Sequence, residues 1–289
     1  MSFETTWFRC PNCFRPLSRV DELAIGCASG HRFDVSRQGT VTLLPPRTPK
    51  TIGDSREMLE ARRDLLHSGM FAPIADAIVE ASRNVVLEPS REQLRVADLG
   101  CGTGYYSARV ADASPATTFL AADRSPVAVR MATREIPRST GVVLDLWQPL
   151  PLRDDVADVV LNVFAPRHAS EFARILSPRG RLIVVVPTAR HLHELRAAGA
   201  LIDIPQGKAE RVIDQFVGVG LALLEQTPVE YTRSADAPMR AQLAGMGPSA
   251  HHAAALAATG ASGGDGSGTP SPLTVSVDVL VFGRTAPSS

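Results

Sequence analysis

Four side chains near the start of the chain share one kind of chemistry. Cys10, Cys13, Cys27 and His31 follow the spacing C-x2-C-x13-C-x3-H, which supplies four soft-to-borderline donors, enough to close a tetrahedral zinc site. With no fifth ligand or open position implied, such a metal, one per chain, would be structural. Pro11, Pro16, Gly26 and Gly30 fit two tight ligand-bearing turns. A stretch of about forty residues with few large apolar side chains scarcely holds its shape without a staple of this sort. The alternative is three free thiols and a surface histidine. The fourth cysteine, Cys101, sits inside a glycine-rich turn with no base near it in sequence, and reads as a small packing residue rather than a nucleophile.

That turn, "VADLGCGTGYY" at residues 96–106, carries the second chemistry. An apolar run ends at Asp98-Leu99, and Gly100, Gly102 and Gly104 follow on alternate positions around Thr103. Glycines there let backbone approach a ligand and adopt φ angles closed to other residues, and a following helix aims its N-terminal N–H groups at the same place. Asp123 closes the next apolar run, where a carboxylate can accept hydrogen bonds from both hydroxyls of a ribose. The spacing is not the dinucleotide G-x-G-x-x-G. It resembles motif I of the class I S-adenosylmethionine methyltransferases, in which the acidic residue ending strand one, here Asp98, lies near the amino acid part of the cofactor. A nicotinamide-type site and an inert loop are the competing readings.

These side chains need a scaffold. From about Leu94 onward, apolar runs at Leu94–Leu99, Thr118–Ala122, Val142–Leu146, Val156–Val163 and Leu182–Val186 alternate with helix-compatible stretches, which predicts βαβ units and a parallel sheet. Leu221–Tyr231 and Thr274–Phe282 are weaker strand candidates, and the Gly/Ser-rich residues 260–272 read as a flexible loop. Upstream, Asp54 or Ser55 caps a helix running to about Ser68, and Pro73 suits the first turn of a second, with Ile74, Ile78 and Val79 inward. The expected fold class is α/β: a Rossmann-like methyltransferase sheet with a small N-terminal zinc-binding module. The expected division is residues 1–45 for the module, 46–85 for a linker and connecting helices, and 86–289 for the sheet domain.

Overall charge is balanced, with 30 basic and 30 acidic residues, so no simple electrostatic case for nucleic acid arises from the total. Between Arg9 and Lys50, however, seven basic residues stand against three acidic ones. This local footprint suits phosphate contacts, and equally suits a solvated basic surface. No apolar run is long enough to span a bilayer and the N-terminus carries no signal-peptide pattern. Neither membrane association nor export is expected, and a cytoplasmic location is the default, where paired cysteines favour metal over disulfide.

Together these motifs resemble the RlmA-type 23S rRNA (guanine-N1)-methyltransferase family, including its macrolide (tylosin) resistance branch. The resemblance covers roughly residues 8–200. It rests on Cys10-Pro-x-Cys13 with Pro16-Leu17, Cys27…His31-x-Phe33-Asp34, Gly53-Asp54-Ser55, Ala61-Arg62-Arg63, the Asp98–Tyr106 loop, Ala165-Pro166 and Arg190-His191-Leu192. It implies zinc at Cys10, Cys13, Cys27 and His31, and S-adenosylmethionine contacts from Gly102, Thr103, Phe71 and His191, beside Asp98, Gly100, Gly104 and Asp123. It further implies a 23S rRNA hairpin as partner, gripped by the module with Arg9, Arg15 and Arg19 on phosphates, and a possible homodimer. Guanine N1 lies on the Watson–Crick edge, so the base must be unpaired or flipped. Asn162 and Phe164 leave the fourth strand at the expected switch point. There Phe164 could stack on the base and Asn162 hydrogen-bond its edge, or both could simply pack a strand end. Asp145, ending strand three, could contact adenine. After about residue 200 the match fades, and Met246-Gly247-Pro248 is followed by Ser-Ala-His251-His252 where family members often carry aromatics. On this reading, replacing Cys10 unfolds the module and leaves cofactor binding intact.

Overall fold

The cysteine segment forms a meander whose strands are too short to bury a core. The structure is a computed structural model and describes residues 3–45, 54–83, 85, 92–246 and 270–285. Residues 247–269, which hold most of the expected 260–272 loop, lie outside that description, whereas Ser271 and Pro272, at the end of that expectation, belong to the last strand. Strands β1 (Ser18–Asp21), β2 (Ala24–Gly26) and β3 (Arg32–Asp34) pair antiparallel in that order. All four residues of β1 are exposed, so cohesion must come from elsewhere. Strand β4 (Thr40–Thr42) then leaves this ribbon and pairs with a strand of the main sheet.

Helix α1 (Arg56–His67) begins where Ser55 accepts the N–H of Met58 at 3.2 Å, as an N-cap should. Helix α2 (Ala72–Arg83) buries Ile74 and Ile78 and leaves Val79 at the margin. The βα alternation follows: β5 (Leu94–Leu99), α3 (Tyr105–Ala113), β6 (Thr117–Asp123), α4 (Pro126–Glu135), β7 (Ser139–Val143), β8 (Ala157–Val163), α5 (Ala169–Ile175) and β9 (Leu176–Pro187). The short α6 (His193–Ala197), α7 (Lys208–Val217), β10 (Leu221–Ala235), α8 (Ala237–Gly245) and β11 (Ser271–Arg284) complete it.

The sheet runs β10-β11-β9-β8-β5-β6-β7-β4. Strands β4 to β9 are parallel where they pair, and β11 lies antiparallel between β9 and β10. Chain order reverses at β5, with β6 on one side and β8 on the other. The carboxyl ends of those strands therefore frame the crevice where open α/β sheets bind ligands. Two-residue periodicity divides the core. Val96, Phe119, Ala121, Val159 and Ile183 face the side covered by α2 and α3, with Ile74 and Val110 against them. Ala97, Leu99, Leu120, Ala122 and Val160 face the other side, where Trp7, Phe8, Leu17 and Leu43 join Phe172 and Phe216. The N-terminal ribbon is thus a covering layer of the sheet itself, with β4 as its edge strand.

The third strand ends earlier than its apolar run. Leu144, Asp145 and Leu146 are buried, yet only Ser139–Val143 pair as strand. The Leu144 N–H still reaches the Asp123 carbonyl at 3.1 Å, after which the chain turns across the crevice. Burial continues there because this loop lies under other structure, which periodicity alone cannot distinguish from strand. Among the described residues no helix is long and apolar enough to cross a membrane.

Candidate active site

The four proposed metal ligands converge. Their donor atoms, three Sγ and His31 Nδ1, all lie within 4.8 Å of one another, with His31 Nδ1 3.5 Å from Cys10 Sγ and 3.4 Å from Cys27 Sγ. Cys13 and Cys27 sulfurs are 3.6 Å apart. Tetrahedral zinc with bonds of about 2.3 Å sets ligand atoms about 3.8 Å apart, so this donor set fits the ion. The surrounding turns assist thiolate formation: the Arg15 N–H and the Ser29 hydroxyl hold Cys13 down to about 6, whereas burial pushes Cys10 up to about 11. Among the described residues this is the one cluster of three or more such side chains able to hold a metal ion.

Polar contacts join the ribbon to the sheet. Arg153 donates to the Phe8 carbonyl at 2.8 Å and the Leu17 carbonyl at 2.7 Å, and the Arg9 N–H donates to the Pro151 carbonyl at 3.0 Å. The Arg9 guanidinium turns inward, stacking on Phe14 and pairing with Glu171 at 3.3 Å, with Asp154 at 3.7 Å and with the Leu150 carbonyl. Arg9 therefore serves as a joint within the protein, beside its proposed place near RNA phosphate. Arg15 is exposed, and Arg19, also exposed, donates to the carbonyls of Glu22 and Phe3.

At the glycine loop, φ is positive at Gly100 (+91°), Gly102 (+51°) and Gly104 (+89°). A Cβ at Gly100 would lie 2.4 Å from the Cβ of Ala165 and 3.7 Å from Leu146, so this glycine is clasped between two loops. A Cβ at Gly102 would meet nothing within 4 Å, which leaves open space above the loop. Thr103 Oγ1 is buried with no protein partner among the described residues. An orphaned hydroxyl beside an open backbone cradle fits the polar body of S-adenosylmethionine. Asp123 accepts the N–H of Gly102 at 3.0 Å and of Ser125 at 2.8 Å, which orients its carboxylate at the loop. Asp98 is buried and accepts the Ser107 hydroxyl at 2.7 Å. Burial raises it to about 7 against that hydrogen bond, and the neighbouring Asp123 charge adds to the rise. Replacing Gly104 by alanine tests the cradle: the left-handed φ alone costs about 1–3 kcal/mol. The new Cβ would also sit 2.7 Å from the Ala132 backbone. A lowered Tm and loss of S-adenosylmethionine binding in calorimetry are the expected results.

Three rings line the crevice opposite. His191 stacks on buried Phe71 at 6.3 Å and lies 5.8 Å from Phe164. Burial, then the charges of Arg196 and Lys208, push His191 down to about 4, so the ring is neutral near pH 7. Its Nδ1 accepts the Ser276 N–H at 3.3 Å, which places the remaining proton on Nε2. His191 is therefore a donor here, not a base.

Asn162 is fully buried, and its amide donates to the carbonyls of Leu99 (3.0 Å) and Pro166 (2.9 Å) while Oδ1 accepts from Arg167 at 3.3 Å. Both amide hydrogens are thus taken by protein carbonyls, and Asn162 positions the loop that follows β8. That loop holds Phe164 at φ +52° with 42% of its surface exposed. Left-handed backbone under a bulky, solvent-facing ring is unfavourable twice over, a pattern that marks functional strain. Asp145 is likewise committed, to Arg124 at 2.6 Å and to the N–H of Trp147 at 3.0 Å. Sequence reasoning missed Arg153, whose partners Phe8 and Leu17 are distant in the chain, and also Ser107 and Arg167, whose partners Asp98 and Asn162 are near in sequence but are met only through the turn between them. It also passed over Trp147, for which "LWQPLPL" held the signal: a large aromatic set among prolines.

Comparison with known proteins covers both halves. The family profile described as "RlmA, N-terminal" matches residues 8–50, and one described as "Methyltransferase domain" matches residues 96–180. The chain is 40% identical over 261 residues to a "Putative 23S rRNA (guanine-N(1)-)-methyltransferase" of Micromonospora griseorubida, covering 84% of this chain and 86% of that one. It is 39% identical over 250 residues to the "23S rRNA (guanine(748)-N(1))-methyltransferase" of Streptomyces fradiae, covering 85% and 86%. Among solved structures, a "putative methyltransferase" of Bacillus halodurans superposes with a TM-score of 0.51 at 15% identity, over 71% of this chain and 97% of that one, a likeness of fold alone.

Proposed function

The chain belongs to the RlmA-type family of 23S rRNA (guanine-N1)-methyltransferases, and from that premise we propose that it methylates N1 of one guanine in a 23S rRNA hairpin beside the peptide exit tunnel, giving resistance to tylosin-type macrolides. It is an S-adenosylmethionine-dependent rRNA methyltransferase. The observation that carries the finer reading is Phe164, an exposed ring held in strained backbone at the switch point, one residue from the Ala165 that clasps Gly100. A nucleobase turned out of its stack finds there a face to pack on.

S-adenosylmethionine supplies a methyl group already activated by its sulfonium. The work left to the chain is to hold the two reactants in line and exclude water. Gly102, Thr103 and Asp123 would hold the cofactor, Asp98 would face its cationic amino group, and Phe71 and His191 would line its path. Phe164 would set the guanine plane, with Asn162 fixing the loop from beneath. Loss of the N1 proton accompanies transfer, and His191, with its proton already on Nε2, does not accept it.

The test is direct. The protein is incubated with labelled S-adenosylmethionine and unmodified large-subunit rRNA, and the product is read by primer extension. N1-methylguanine blocks pairing, so reverse transcription is expected to stop one nucleotide before a single guanine. The guanine numbered in the name of the Streptomyces fradiae relative is the first to inspect. Label in the RNA without a discrete stop would move the methyl group to another atom and overturn the N1 assignment.

A further inference from the structure

Trp147 is the most exposed large apolar side chain among the described residues, with 66% of its surface open. It is not exposed because its loop is loose. Leu144, Asp145 and Leu146 are buried on one side of it and Leu150, Pro151 and Leu152 on the other, so only Trp147, Gln148 and Pro149 project. The backbone is tied at both ends of that projection. Asp145 accepts the N–H of Trp147 at 3.0 Å, its carbonyl accepts that of Gln148 at 3.1 Å, and Glu171 accepts that of Leu150 at 2.6 Å. Pro149 and Pro151 remove two further degrees of freedom. A stiff turn therefore presents a large ring to solvent, without packing to justify it.

Its position gives the ring a use. Leu146 and Ala165 both lie against the position a Gly100 Cβ would take, so the loops that carry Trp147 and Phe164, each one residue away in the chain, meet at the cofactor loop. Beyond Trp147 the same segment reaches the zinc ribbon, where Leu152 bridges to Phe8 and the Pro151 carbonyl receives the Arg9 N–H. A strand held at the ribbon and delivered to the mouth crosses this segment. We propose that Trp147 stacks on a nucleobase adjoining the target guanine, so that the RNA meets two exposed rings, one from each of the two loops that meet at Gly100. The inference rests on the rRNA reading above. It commits to a single-stranded nucleobase because every base offers a π-face on which one projecting ring can stack, and the rRNA reading supplies such bases next to the target.

The full-length protein first has to methylate the rRNA hairpin; if it does not, the function proposed above fails before this one is reached. Given that activity, W147A and W147F are compared with the parent. Loss of one base–aromatic stack is expected to raise KM for the hairpin on the order of tenfold in W147A. Turnover at saturating RNA, S-adenosylmethionine affinity and Tm should be unchanged, and W147F should recover most of the loss. The chain has two tryptophans and Trp7 is fully buried, so titration with unmethylated hairpin should quench the exposed Trp147 emission in the parent and leave W147F emission unchanged. An unchanged KM in W147A overturns the proposal. So does a fall in Tm or in cofactor affinity that accounts for the loss, or a W147L variant that restores KM as well as W147F does.

Discussion

Exchange of Cys10 for serine, or removal of the metal by a chelator, is expected to abolish S-adenosylmethionine binding as well as RNA methylation. Read from sequence, the ribbon looked separable and cofactor binding was expected to survive its loss. The packing says otherwise. Cys10 is fully buried in the same cluster as Trp7, Phe8 and Leu43 and the sheet residues Leu99 and Ala122. Strand β4 pairs with β7, and β7 runs directly into Leu144–Leu146, whose last member flanks Gly100. Losing the ribbon uncovers one face of the sheet and frees the loop that clasps the cofactor turn. A structural zinc contributes apparent binding energy of about 10–16 kcal/mol in small zinc modules, as large as the whole stability of an ordinary domain at about 5–15 kcal/mol. Thermal melts with chelator and zinc add-back, alongside calorimetric titration of cofactor, check this. Unaltered cofactor affinity in a protein whose ribbon has melted would show the two halves to be independent.

The second large effect belongs to Asp98. Its folded-state value of about 7 lies above the 3.8 of an unperturbed carboxyl, so the folded chain holds this proton more tightly than the unfolded chain does. The stability contributed by the protonated group is fully present below pH 4 and is lost as pH rises towards 7. Asp98→Asn removes that penalty and is expected to raise Tm at pH 8 relative to the parent while leaving it little changed at pH 4. On the proposed function the same exchange also removes the carboxylate that would face the cofactor's amino group. Loss of a charged hydrogen-bond partner, worth about 1.5–3 kcal/mol, predicts a weakening of binding on the order of tenfold to a hundredfold. In the parent, cofactor affinity should improve between pH 6 and pH 8 with proton release, and in the variant it should be flat. A more stable protein that binds less is the signature; a variant less stable at pH 8 would mean that the Ser107 hydrogen bond outweighs burial and that the folded-state value is not raised.

What could be read without coordinates was whatever lay within a few residues along the chain. The cysteine and histidine spacing needed only two turns to become a cluster, and the glycine loop needed only a strand before it and a helix after it. The protein contacts of Asn162 and Arg9 were out of reach for the opposite reason. Asn162 bonds to Leu99 and Arg9 to Glu171, partners 63 and 162 residues away, and no local pattern holds that information. The end of β7 was misplaced because Leu144 and Leu146 are as buried as the strand before them. Ser55 as the cap of α1 was legible, since capping is settled within one turn.

The pairing of β4 with β7 also orders events in time. Thr40 is made early, but its partner Gly141 follows it by about a hundred residues, which at about 5–20 residues per second is an interval of about 5–20 s on the ribosome. During that interval the ribbon has no sheet to cover, and Trp7, Phe8 and Leu43 have no core to enter. Metal capture by the Cys10, Cys13, Cys27 and His31 cluster would be the stabilising event available to it, so the yield of folded protein is expected to depend more on zinc present during synthesis than on zinc added afterwards.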